Sequence, residues 1–174
     1  MVEPASERLQ WAAEVVDAAP DDRILEIGCG NGALVALLCA RMQTGTVTAI
    51  DRSEKMIEAA LRRNRQYVIE GKARFLAEEV ADSQFGLGSF TKIVAFNVGA
   101  FWKTEAPELK RIKTWLAPHG TIYLFCQPPT EESEQDSVER LRRRLEEEGF
   151  TVCPTLYREM KPARAICVRT EPVG

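Results

Sequence analysis

The chain has 174 residues, 45% of them hydrophobic and 28% charged, and a formal net charge of -3, which suits one globular domain but lacks the basic excess that nucleic-acid binding requires. No cysteine shares zinc-ligand spacing with another cysteine or with the single histidine, so neither a metal site nor a disulfide framework is expected. With no secretory leader and no apolar run of membrane-spanning length, we expect a cytoplasmic protein without a membrane partner. No nucleic-acid partner is expected either, and we expect a monomer or homodimer.

Short apolar runs alternate with amphipathic stretches, which predicts an α/β fold with a largely parallel sheet. In the first half, helices and strands are predicted in alternation at 6–19, 23–27, 31–42, 46–50, 53–68 and 73–78. The second half predicts a strand at 92–97, a helix from Pro107, a strand at 121–125 and an exposed helix at 131–148. Two final segments, 151–159 and 163–169, predict an antiparallel hairpin at the sheet edge. No linker or repeat is visible, so one domain over 1–174 is expected.

The strand at 23–27 ends in the glycine-rich turn Gly28-Cys29-Gly30-Asn31-Gly32. Glycine lets the backbone turn sharply and approach a ligand closely, and the following helix offers unpaired N–H groups. Gly28, Gly30 and Ala33 also satisfy the dinucleotide pattern, and Asp51 follows at about the distance of a ribose-binding acid. An NAD(P)-dependent oxidoreductase is therefore one alternative at this point.

Glu26, two residues before the turn, favours a different ligand. A carboxylate there would repel a pyrophosphate but attract an ammonium or sulfonium group. The chain is also too short for a separate substrate domain, and it ends in a hairpin rather than in further crossover units. Tyr157 and Lys161 have the spacing of a short-chain dehydrogenase acid/base pair, but their segment reads as a strand, where the two side chains would not share a helix face.

The sequence resembles the class I S-adenosylmethionine-dependent methyltransferases over nearly its whole length. The resemblance is carried by the segments 24–32, 48–56, 74–80 and 109–125, which correspond to the first, second and third strand motifs and to the helix and fifth strand. It implies a Rossmann-like, doubly wound sheet of about seven strands with helices on both faces, mostly parallel, with an antiparallel strand near the C-terminus. It also implies S-adenosylmethionine as cofactor and S-adenosylhomocysteine as product.

The same resemblance implies which residues bind the cofactor. Glu26 would approach the methionine amino group, the turn would pass beneath the cofactor, and Asp51 would accept hydrogen bonds from the ribose hydroxyls. Asn97 would face the sulfonium. The remaining contacts would be made around the adenine, by Arg52, Met56, Glu78 or Glu79, and the backbone of Val80.

The acceptor side is predicted at the carboxyl end of the fourth strand, where ligands gather in open α/β sheets. Val98, Phe101 and Trp102 are candidate substrate residues, with core packing as the alternative for the two aromatics. Trp11 is a fourth, because the segment 1–20 is a candidate lid over the cleft. The run after Asn97 lacks the two prolines of base-methylating enzymes, so a small-molecule acceptor is expected. A cofactor-binding sensor or subunit without catalysis is the other alternative, and no catalytic residue is assigned.

Overall fold

The computed structural model describes residues 6–103, 107–128, 131–161 and 163–172, which form two compact units, Met1–Gln84 and Phe85–Gly174. The first unit contains four helices and three strands: α1 (Glu7–Val16), β1 (Arg23–Ile27), α2 (Ala33–Cys39), β2 (Thr46–Asp51), α3 (Glu54–Arg63), α4 (Arg65–Ile69) and β3 (Ala73–Ala77). The second contains a 3₁₀ helix (Gly99–Trp102), two α-helices and five strands: β4 (Phe90–Phe96), α5 (Glu108–Trp115), β5 (Leu116–Cys126), α6 (Glu131–Glu147), β6 (Phe150–Val152), β7 (Leu156–Arg158) and β8 (Ala165–Pro172).

The three strands of the first unit are parallel, in the order β3-β2-β1. Ile24, Leu25 and Ile27 of β1 are all buried, because helices cover the faces of a parallel sheet. The strand ends where the predicted glycine turn begins. Parallel register places the carboxyl ends of β1, β2 and β3 on one edge, with Ile27 opposite Ile50 and Asp51 opposite Ala77.

Two helix predictions in this unit need correction. The second helix begins at Ala33 rather than Asn31, because Gly32 has φ +72°, a left-handed conformation outside the right-handed helix. The helix predicted over 53–68 is two helices, which meet at Asn64 (φ −104°, ψ 20°). Ser53 caps α3 as expected, since its Oγ accepts the N–H of Met56 at 3.3 Å.

The second unit pairs its strands in the order β4-β5-β8-β6, with β7 also on β8. β4 and β5 are parallel, whereas β8 runs antiparallel to β5, β6 and β7. The predicted hairpin is therefore confirmed, but its first segment is two strands separated around Pro154, which has no N–H for the ladder. β5 is longer than predicted: it includes the turn at His119, where the register against β4 shifts.

The Rossmann-like α/β class is confirmed, with eight strands among the described residues instead of about seven. The extra strand arises from the β6/β7 split. The expectation of a single domain stays a prediction. Within the described ranges, no helix combines the length and apolarity needed to cross a membrane.

Candidate functional site

The glycine turn that follows β1 has a backbone conformation that glycine alone adopts readily. Gly28, Gly30 and Gly32 have φ values of +70°, +52° and +72°. The N–H groups of Gly28 and Cys29 both donate to the carbonyl of Ile50, at 2.8 and 3.1 Å, so the turn folds against the end of β2. A Cβ built on Gly30 would meet no atom within 4 Å. The backbone at Gly30 is therefore accessible to a ligand.

Asp51, the last residue of β2, holds this turn. Its Oδ2 accepts the N–H of Gly30 at 2.9 Å, and its Oδ1 accepts the N–H of Ser53 at 2.9 Å. A carboxylate has about four acceptor positions on its two oxygens, so these two bonds leave capacity for a ligand's hydroxyl groups. Asp51 thus fixes the turn and remains able to accept further hydrogen bonds.

Glu26 lies on β1 directly before the turn and is only 3% exposed. Its Oε2 is buried without a hydrogen-bond partner. Burial, and then the nearby charge of Asp51, raise the pKa of Glu26 from 4.5 to about 8. A buried carboxyl group with an unused oxygen is costly to keep, unless a donor or a cation from a ligand satisfies it.

The remaining residues of the turn differ in exposure. Cys29 is buried, its Sγ donates to the carbonyl of Gly30 at 3.7 Å, and burial raises the pKa of its thiol strongly, so it stays protonated. Asn31 is exposed to solvent. Cys29 therefore contributes to the packing of the core, whereas Asn31 presents polar groups to solvent.

The residues predicted around an adenine all belong to the first unit. Arg52 is exposed and Met56 half-buried, at the start of α3. Val80 is buried after β3, and Glu78 is half-buried. The side chain of Glu79 is exposed, and the backbone carbonyl of Glu79 accepts the hydroxyl of Ser83 at 2.9 Å. The ends of β2 and β3 lie side by side, so these segments share one edge of the unit with the glycine turn.

The predicted site residues that follow the fourth strand belong to the second unit. Asn97 follows β4 with φ +56°, and its Oδ1 accepts the N–H of Gln127 at 2.9 Å, which ties the ends of β4 and β5 together. Phe101 is fully buried, which favours the core-packing alternative over substrate contact. Val98 and Trp102 are half-buried, and their predicted role stays a prediction.

Trp11 lies on α1 in the first unit and is 6% exposed. This helix is tied to the end of α2, because the Arg41 guanidinium donates to the carbonyl of Ala13. The segment 1–20 is the candidate lid over the cleft, and its residues 1–5 lie outside the described ranges. The lid and the substrate role of Trp11 stay predictions.

One residue beside the turn, Asn64, was not predicted from the sequence. It is fully buried, and its Nδ2 donates to the carbonyls of Gly32 and Ala60, both at 3.0 Å. The available signal was an asparagine on an otherwise apolar helix stripe, a position at which a polar side chain must find a partner.

This arrangement suits a ligand with a cationic group and neighbouring hydroxyls. The Gly30 backbone gives close access, Glu26 offers an unsatisfied buried carboxyl oxygen, and Asp51 accepts hydroxyls. No group of three or more possible metal-ligating side chains occurs in the part of the chain that the structure describes.

Comparison with known proteins agrees with this geometry. The family profile described as "Methyltransferase domain" matches residues 24–120. The uncharacterized methyltransferase YdaC of Bacillus subtilis is 22% identical over 162 residues, covering 91% of this chain and 87% of YdaC. Malonyl-[acyl-carrier protein] O-methyltransferase of Priestia megaterium is 50% identical over 99 residues, covering 57% of this chain and 34% of that protein.

Solved structures share the fold as well. Geranyl diphosphate C-methyltransferase from Streptomyces coelicolor A3(2), crystallised with Mg²⁺, geranyl diphosphate and S-adenosyl-L-homocysteine, superposes with a TM-score of 0.75. The superposition covers 94% of this chain and 77% of that one, at 14% sequence identity. At this level of identity the likeness extends to the fold alone.

Proposed function

Since the chain belongs to the methyltransferase domain family, we propose that it methylates a small-molecule acceptor, at a site built on the glycine turn of its first unit. It is a class I S-adenosylmethionine-dependent methyltransferase, with S-adenosylhomocysteine as product. The residues that contact the cofactor and the class of acceptor are our proposals.

The observation that carries the assignment is the unpartnered, buried Oε2 of Glu26. The methionine part of the cofactor carries an ammonium group, which would satisfy this oxygen and favour its ionised form. Asp51 would accept the ribose hydroxyls with its remaining lone pairs, and the glycine turn would pass beneath the methionine portion. The adenine contacts are assigned to Arg52, Met56, Val80 and one of the two residues Glu78 and Glu79.

When bound, the cofactor supplies a methyl group activated by a sulfonium. The transfer is an in-line displacement, so the protein contributes mainly alignment of the reactants and exclusion of water. The first unit performs the alignment on the donor side, because Asp51 and Ile50 hold the turn through its backbone N–H groups. A general base is required only if the acceptor is protonated at working pH, and no side chain is assigned that role.

The acceptor proposed here is a small molecule. Of the relatives named above, one acts, by its name, on the small molecule geranyl diphosphate, and another on a malonyl group carried by a protein, which is the competing acceptor class. The described sequence after β4 lacks the Pro-Pro run of base-methylating enzymes, and the net charge of -3 offers no basic excess for RNA. The family match favours neither the oxidoreductase nor the non-catalytic sensor.

Equilibrium binding by calorimetry tests the cofactor site. We expect micromolar affinity for S-adenosylmethionine and S-adenosylhomocysteine, and none for NAD(P). Asp51→Ala should weaken binding at least tenfold, because it removes both the hydroxyl acceptor and the support of Gly30. Glu58→Gln, an exposed change on α3, serves as the matched control and should bind as the wild type does. Full affinity of Asp51→Ala would refute the ribose assignment.

Transfer of a labelled methyl group tests the acceptor. Wild-type protein would be incubated with labelled cofactor and, in parallel, with small-molecule extract fractions, acyl-carrier protein loaded with malonate, and RNA. Label in the small-molecule fractions supports the proposal, whereas label confined to protein or RNA refutes it. Absence of label in every fraction, with cofactor binding intact, would favour the sensor.

A further inference from the structure

The contact between α3 and the glycine turn assigns a role to Asn64. We propose that Asn64 is a positioning residue, which holds the C-terminal half of the glycine turn in the shape that binds the cofactor. The inference rests on the proposed cofactor site, and all the residues that carry it lie in the first unit.

The turn is held from two sides. Asp51, which precedes α3, accepts the N–H of Gly30 at 2.9 Å. Asn64, which ends α3, donates its Nδ2 to the carbonyl of Gly32 at 3.0 Å, across 32 residues of sequence. The last residue of β2 and the C-terminal cap of α3 therefore bond to alternate glycines of the same turn. Asp51 fixes an N–H group, and Asn64 fixes a carbonyl group.

The side chain of Asn64 is completely buried. Its exposure is 0%, and its Oδ1 has no hydrogen-bond partner. An unsatisfied buried amide oxygen destabilises the folded chain relative to a satisfied one. An apolar side chain would avoid that cost, but it would leave the Gly32 carbonyl without its donor. The two Nδ2 bonds, to Gly32 and Ala60, are thus what the asparagine provides.

The fit between Asn64 and Gly32 is close. A Cβ built on Gly32 would lie 2.5 Å from the Asn64 Nδ2 and 3.0 Å from the Cβ of Ala60. Gly32 also has φ +72°, which L side chains rarely adopt. The absence of a side chain at Gly32 therefore lets α3 approach the turn closely enough for the amide to bond. A substitution that removes the Asn64 side-chain amide should therefore alter the conformation of the turn.

The test uses Asn64→Leu, which keeps the branching of asparagine but has no donor, and Asn64→Ala as a second variant. Val47→Ala is the matched control for lost stability, because Val47 is buried near the start of β2, away from the turn. Calorimetry with S-adenosylhomocysteine should show at least about tenfold weaker binding for both Asn64 variants, the equivalent of one lost hydrogen bond. The control should stay within about twofold.

Amide hydrogen exchange of the ligand-free proteins supplies a second measurement. In an Asn64 variant the amides of Gly30 and Gly32 should exchange faster than in the wild type, whereas the amide of Thr48 within β2 should change little. Wild-type affinity and unchanged exchange at the turn in either folded Asn64 variant would overturn the inference. Failure of the wild type itself to bind S-adenosylhomocysteine would instead refute the proposed cofactor site.

If both Asn64 variants fail to fold, Asn64→Ser decides the question, because its hydroxyl is shorter and cannot replace both amide bonds. The same two measurements apply to it. Faster exchange at Gly32 together with weaker binding supports the positioning role. Wild-type exchange together with wild-type affinity contradicts it.

Discussion

Replacing Glu26 by glutamine should change the pH dependence of stability in a way that the structure fixes in sign. Burial holds the pKa of Glu26 at about 8 in the folded chain, against 4.5 for an exposed carboxyl. Because the folded pKa is the higher one, the unfolded chain loses this proton first as pH rises. The folded state is therefore destabilised progressively from about pH 4.5, and the loss levels off above about pH 8.

The size of the effect follows from the separation of the two pKa values. Each unit corresponds to about 1.36 kcal/mol, so the ionisation of Glu26 lowers the free energy of unfolding by about 3 kcal/mol at pH 7 and by about 5 kcal/mol above pH 8. Glu26→Gln removes the ionisation. Between pH 5 and pH 8.5, its stability should fall by about 4 kcal/mol less than that of the wild type.

Urea unfolding at intervals across this pH range measures the difference. Glu58→Gln is the control, because the side chain of Glu58 is 68% exposed and its pair with Arg62 contributes little. The control curve should run parallel to the wild-type curve. A Glu26→Gln curve that also runs parallel would refute the assignment of a raised pKa to Glu26.

The same substitution tests the role of Glu26 in binding. A cationic ligand group beside Glu26 favours the carboxylate, so binding at pH 7 should release close to one proton from the wild type. Calorimetry in two buffers with different ionisation enthalpies measures this release. Glu26→Gln should be more stable at neutral pH, yet bind S-adenosylmethionine at least tenfold more weakly and without proton release. Equal release in both proteins would place the titrating group elsewhere.

Three further substitutions have defined outcomes. Gly32→Ala should destabilise the chain by about 2–4 kcal/mol and weaken cofactor binding, since the new Cβ strains a positive φ and lies 2.5 Å from the Asn64 amide; wild-type melting would contradict this. Ser53→Ala should reduce the free energy of unfolding by about 1 kcal/mol through the lost cap, as measured in urea. Arg164→Met should destabilise the chain by about 3 kcal/mol, because it leaves the buried carboxylate of Glu134 unpaired; restoration of stability by a second change, Glu134→Gln, checks that cause.

Local sequence pattern predicted most of the first unit. The end of β1 was predicted because three glycines follow an apolar run, and the start of α3 because Ser53 is a preferred capping residue. The break at Asn64 was not predicted, since the apolar spacing continues through it to Val68. At the break, Asn64 bonds the carbonyl of Gly32, 32 residues earlier, a contact that periodicity does not encode.

The second unit shows the same division. The antiparallel hairpin was predicted from two β-like segments, but the split of the first into β6 and β7 and the long, shifted β5 were not. Strand boundaries depend on which residues find partners across the ladder, and partners are distant in sequence. Phe101 illustrates this for the site: its sequence position allows either wall or core, and only packing shows it fully buried.

The sequence by itself determined the type of site, because the glycine turn, Glu26 and Asp51 are short patterns whose geometry follows from local backbone sterics and strand direction. The tertiary structure decided the energetics of that site. Burial depends on every neighbour around a side chain, so only the folded chain shows that Glu26 has an unpartnered oxygen and a pKa of about 8. For the same reason, only the fold shows that Asn64 bonds the Gly32 carbonyl and so connects α3 to the turn.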